Sequence, residues 1–135
     1  MEEWATRYPQ LFDERDVEIT RNQLQYHFFE WLAAVLLYEA MGYLSLVEKY
    51  ETASHPRKLD IFRQAVSAEL YDYVLANRSG VPDLFVYSPN LENWFFCEIK
   101  GVGDSLRRHQ IERHAALEEL SGKPVMILKL NERKL

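Results

Sequence analysis

The chain has 135 residues, 47% hydrophobic and 13% aromatic, which suits one domain with a substantial core and argues against disorder. Its formal net charge is −5, from 21 acids against 16 Lys and Arg, which excludes a broadly basic nucleic-acid coat but leaves room for a local basic groove. The single cysteine, Cys97, excludes an intramolecular disulfide and a cysteine-based zinc cluster, and fits a reducing compartment.

The opening stretch, MEEWATRYPQ, has no basic n-region and no apolar h-region. The longest apolar run, Trp31 to Tyr38, is too short to span a bilayer. A soluble, cytoplasmic protein is expected. Residues 1–18 form a polar lead-in containing Trp4 and Tyr8. A helix is predicted from about Thr20, a candidate N-cap, to Met41, with Gly42 as its stop. It is apolar nearly all round from Phe28 to Tyr38, so deep burial is expected. The stretch GYLSLVEKYETASHPRK reads as a partly extended connection, with Pro56 as a breaker. Lys58 to Asn77 is a second helical region, broken near Ser67, with Ile61, Phe62, Ala65, Val66, Leu70 and Val74 as its apolar stripe. Residues 45–80 are accordingly expected to form a helical insert. Asp83–Ser88 and Trp94–Lys100 are strand candidates. Asp104 can cap a helix from Ser105 to about Leu120, with Gly122 just past its end and Pro124 beyond. PVMILKL is a last strand, expected to be buried. The order suggests a mixed α/β domain.

The two central strand candidates carry three charges among Phe, Val, Tyr, Trp and Ile. Side chains alternate along a strand, so Glu98 and Lys100 share a face with Phe96, while Phe95, Cys97 and Ile99 take the other. A hairpin symmetric about Asn90–Leu91 sets Val86 against Phe95 and Asp83 against Glu98. Two carboxylates that close repel each other unless they share a proton or a divalent cation bridges them; oxygen donors suit Mg²⁺ or Mn²⁺. Lys100 would then stand beside the cation, where it can hold a water. The plainer reading is a turn aspartate and a solvated Glu98–Lys100 pair.

Pro82-Asp83, fourteen intervening residues and Glu98-Ile99-Lys100 match the PD-(D/E)XK nuclease pattern. The continuation CEIKGVGDSLRRHQ resembles the VRR-NUC branch, whose members carry an E-V-K-G-P-x-D-x-L-x-x-x-Q stretch; Gly101, Asp104, Leu106 and Gln110 stand in place. HFFEWLAAVLLYEAMGYLSLVEKY also looks like the N-terminal half of bacterial stand-alone members, so the resemblance spans roughly residues 24–130. Val102 stands where the family usually has proline, at a loop spacer.

The resemblance implies a restriction-endonuclease-like core with a helical insert. It implies Mg²⁺ or Mn²⁺ on Asp83, Glu98 and the Ile99 carbonyl, with Lys100 orienting and activating the attacking water. The family also uses an acid from the first helix. Glu30 and Glu39 are both candidates, and Glu30 is preferred because it interrupts a stripe of Tyr26, Ala33, Ala34 and Leu37. Gln110 is implied to lie near the metal and the substrate phosphate. Arg107, Arg108 and Arg113, with His114 beside them, could track a phosphate backbone from this helix. The implied activity is a metal-dependent endonuclease on DNA, on branched or flapped structures, with a homodimer as the expected assembly. The alternatives are a non-catalytic nucleic-acid or protein binding module on a nuclease fold, or an RNA-directed nuclease.

Overall fold

The computed structural model describes residues 7–11, 16, 28–101 and 103–130. Among them run α1 (Phe28–Met41), β1 (Leu44–Val47), α2 (Pro56–Ala65), α3 (Ala68–Ala76), β2 (Leu84–Tyr87), β3 (Trp94–Lys100), α4 (Arg108–Ser121) and β4 (Met126–Lys129). Thr20, Trp4 and Val102 lie outside the described residues. The strands form one mixed sheet in the order β1-β2-β3-β4. The β1–β2 and β2–β3 pairs are antiparallel, and β3–β4 is parallel. A parallel pair needs a crossover, and α4 provides it. The architecture is α/β, as expected.

Strand alternation divides the core in two. Val47, Leu84, Val86, Cys97 and Ile99 pack with Trp31, Ala33, Ala34 and Val35 of α1 on one face of the sheet. Leu46, Phe85, Tyr87 and Phe96 pack with Phe62, Leu70, Val74 and Leu117 of the other three helices. This second half is rich in rings. Phe85 meets Tyr50, Phe62, Trp94 and Phe96 at centroid distances of 5.9, 5.0, 5.5 and 5.6 Å. Each such pair contributes about 0.5–1.5 kcal/mol beyond its area burial.

The hairpin register is the expected one. Val86 pairs with Phe95, and Leu84 with Cys97. The turn is closed by Ser88 N–H to the Asn93 carbonyl at 2.8 Å and Leu91 N–H to the Ser88 carbonyl at 2.9 Å. The break between the insert helices also falls where expected, because the Ser67 hydroxyl accepts from Leu70 N–H at 3.2 Å and caps α3.

Several expectations need correction. The insert expected at 45–80 is not all helical: it opens with β1, whose Leu46 and Val47 are buried on opposite faces of the sheet. The polar lead-in is partly core. Tyr8 and Leu11 pack against α1, and Asp16 is buried with Lys58, whose Nζ donates to it at 2.7 Å and to the Val47 carbonyl at 2.8 Å. Helix α1 is less enclosed than its composition suggests, with Leu36 45% and Met41 51% exposed. The last strand is a sheet edge, not a buried strand: Met126 is 49% exposed. Asp104 does not cap a helix. Its carboxylate accepts Gly101 N–H at 3.0 Å instead, and α4 starts later, at Arg108.

Gly80 sets how closely the loop before β2 approaches α4. Its φ is +80°, and a Cβ there would lie 2.9 Å from the His109 carbonyl oxygen and 3.1 Å from Arg113 Cβ. Gly80→Ala should therefore destabilise the fold by roughly 1–3 kcal/mol, measured by denaturant unfolding. A variant as stable as the parent would show that this approach is not tightly held.

Candidate functional site

The ends of β1 and β3 and the start of β2 lie at one edge of the sheet, because β2 runs against both neighbours. β1 delivers Glu48 there, β2 is preceded by Asp83, and β3 ends in Glu98 and Lys100. α1 runs back over the sheet and brings Glu30 to the same edge. Carboxylate oxygens of Glu30, Glu48 and Asp83 all lie within 4.8 Å of one another.

The backbone around this edge is tightly specified. Glu48 N–H donates to the Asp83 carbonyl at 2.8 Å, and the buried Tyr50 hydroxyl donates to the Pro82 carbonyl at 2.7 Å. Glu48 and Lys49 both adopt left-handed conformations, with φ of 49° and 54°. For non-glycine residues this is unfavourable, and it persists only where surrounding contacts impose it. It turns the chain sharply at the end of β1.

Asp83 Oδ2 accepts Ile99 N–H at 2.9 Å. Along a strand the N–H and C=O of one residue leave on the same side. Leu130 N–H takes the Lys100 carbonyl on the β4 side, so the Ile99 carbonyl leaves on the Asp83 side. Burial, then the Glu98 charge, push the Asp83 carboxyl up to about 8 from its ordinary 3.8; the Ile99 N–H pulls the other way, and Glu30 and Glu48 add to the rise.

Glu98 is buried, at 2% exposure. Its Oε1 accepts from Gln110 Nε2 at 3.1 Å and lies 3.9 Å from Lys100 Nζ. Gln110 Oε1 in turn accepts from Lys100 Nζ at 3.1 Å and from Arg107 N–H at 3.0 Å. One amide therefore clamps the acid and the lysine together. Glu98 Oε2 faces His114 Nε2 at 3.5 Å, and neither atom has a hydrogen-bond partner among the described residues.

The structure thus brings Asp83, Glu98, Lys100, Gln110 and Glu30 to one edge. Of the two acids on α1 it is Glu30 that joins them; Glu39 is instead bonded by the Tyr8 hydroxyl and lies 4.0 Å from Arg7. The ligand set changes in one respect. The closest group is completed by Glu48, and Glu98 falls outside it. The reason is that Gln110 holds the Glu98 side chain towards α4, where it faces His114. Sequence reasoning missed Glu48. Its signal was a short, mostly apolar run, LSLV, followed at once by an acid, as Phe95-Phe96-Cys97 is by Glu98.

The basic row on α4 does not act as one surface. Arg113 Nε donates to the Ser79 carbonyl at 2.8 Å, its guanidinium bonds the Tyr73 hydroxyl and it lies over the Tyr73 ring. It joins α4 to α3 and the following loop. His114 is buried against Glu98 and does not reach a phosphate from the surface. Arg107 and Arg108 remain exposed, Arg108 paired with Glu112 at 3.1 Å.

No helix among the described residues is long and apolar enough to cross a membrane. No protein-family model matches the chain, and neither does any curated protein.

In chelator, folded Asp83 keeps a proton that the unfolded chain has released between pH about 4 and about 8. The folded state binds more protons there, so unfolding free energy falls as pH rises through that window. Asp83→Asn cannot ionise and keeps an acceptor for Ile99 N–H. It should flatten the fall and raise the melting temperature above the window. Thermal melts of both proteins in chelator, below and above it, check this; parallel curves would show that Asp83 does not carry the pH dependence.

Proposed function

We propose that this protein is a metal-dependent nuclease of the PD-(D/E)XK type, related to the VRR-NUC branch, with a restriction-endonuclease-like core. It hydrolyses phosphodiester bonds in DNA, with branched or flapped structures as substrates. The observation that carries this reading is the convergence of Asp83, Glu98 and Lys100 on one sheet edge, with Gln110 bridging the last two and Glu30 and Glu48 alongside.

The donor set fits the cation that this chemistry requires. Three carboxylates within 4.8 Å of one another offer hard oxygen donors, which suit Mg²⁺ or Mn²⁺ and not a soft metal. Asp83, Glu30 and Glu48 would hold it, with the Ile99 carbonyl directed to the same side and Glu98 adjoining. When bound, the cation polarises the scissile phosphate and lowers the pKa of a water.

The chain's own groups do the rest. Lys100 is fixed in azimuth by Gln110 and held near Glu98, so its ammonium points along one line instead of sampling solvent. From there it orients the attacking water towards phosphorus. Ile99 N–H keeps Asp83 from rotating away. Gln110 spends both ends of its amide on this geometry and on the start of α4. In-line attack on phosphorus would leave a 5′-phosphate and a 3′-hydroxyl.

The test is cleavage of labelled duplex, flap, splayed and four-way-junction DNA with Mg²⁺ or Mn²⁺ and with chelator. Lys100→Ala should lose roughly 10²–10⁴-fold in rate at a temperature where circular dichroism shows it folded. No cleavage of any substrate with metal, or a Lys100→Ala protein as fast as the parent, would refute the reading.

A further inference from the structure

A cleft of about 240 Å³ opens beside the carboxylate group. Glu48, Lys49, Glu51, Arg78, Pro82 and Asp83 are among its walls. Lys100 and the arginines of α4 are not. The cleft therefore shares two acids with the candidate metal centre but brings its own cations, from the turn after β1 and the loop after α3.

Both cations are poised for a ligand. Lys49 is exposed, and its left-handed backbone fixes where the side chain departs. Its ammonium makes no hydrogen bond or ion pair among the described residues. Arg78 is also exposed; its Nε donates to the Leu75 carbonyl at 3.3 Å, which orients the guanidinium and leaves the terminal nitrogens to bond elsewhere. A planar guanidinium suits a phosphate, and a flexible ammonium completes the charge.

The charge balance adds an order of events. The walls carry three carboxyl groups against two cations, so without metal they offer an anion no net positive charge. A divalent cation on Glu48 and Asp83 makes the net charge positive. The cleft attracts an anion only once the metal is bound.

We infer that Lys49 and Arg78 form a phosphate subsite, holding a backbone phosphate of the nucleic acid that flanks the scissile one, and that the subsite becomes receptive only once the metal is in place. This deepens the nuclease reading and rests on it. It also gives the helical insert a task, because both cations belong to that part of the chain.

The experiment measures binding and cleavage separately. Anisotropy of a labelled flap DNA is followed in Ca²⁺ and in chelator over a range of salt, for the parent, Lys49→Gln, Arg78→Gln, Arg78→Lys and Arg63→Gln on α2, outside the cleft. Cleavage in Mg²⁺ gives kcat and KM for the same proteins. Each cleft variant that loses its charge should bind several-fold more weakly in Ca²⁺ and reduce the slope of log K against log salt by about 1. KM should rise with kcat within about twofold, the mark of lost uniform binding. Arg78→Lys should restore the slope, Arg63→Gln should keep it, and chelator should abolish the difference between parent and cleft variants. If the parent cuts and the cleft variants match it in slope and KM, or Arg63→Gln lowers the slope as much, the subsite is refuted and the nuclease reading stands. If the parent neither binds nor cuts with metal, both fall.

Discussion

Negative charge gathered at one sheet edge is the constraint around which this structure is arranged. Glu30, Glu48 and Asp83 crowd together, and the Glu98 charge acts on Asp83 from beside them. Such an arrangement opposes folding, since half-buried acids repel one another and each loses hydration. The fold offsets it in part. Ile99 N–H supports Asp83, Gln110 supports Glu98, and Lys100 sits close by. The proton that Asp83 retains relieves part of the remaining imbalance, and the proposed divalent cation would neutralise the rest.

The rest of the molecule serves to hold that edge still. A ring-rich half-core anchors the far side of β2 and β3, and a buried Lys58–Asp16 pair ties β1 to α2 through the Val47 carbonyl. A buried pair of this kind contributes little net stability but is costly to break, so its value lies in fixing geometry. It stands one residue before Glu48, where the backbone turns left-handed.

Much of this was legible in the sequence because two strong local rules apply. Alternation assigned Phe96, Glu98 and Lys100 to one face and Cys97 to the other, and the loop midpoint fixed the hairpin register; both hold in the fold. Glu30 was identifiable as an acid inside an apolar stripe. What escaped depends on contacts far apart in the chain. β1 is four residues long, too short for a period to declare itself, and with it went Glu48. A helical row cannot say what faces it, so Arg113 and His114 looked like surface groups until Tyr73 and Glu98 stood opposite them. Asp104 had a capping residue's chemistry but a nearer donor in Gly101 N–H.

Gln110 has a consequence of its own. Arg107, at the cap position of α4, has no acceptor in its side chain; the Gln110 and Ile111 N–H groups close the first turn on the Arg107 carbonyl, and the Gln110 side-chain oxygen takes Arg107 N–H. The same oxygen holds Lys100. The cap on the first helical turn and the hold on the lysine thus share one atom. A single turn that frays would disarm the edge without disturbing either half of the core, so the state of the site can follow a local melting far smaller than unfolding.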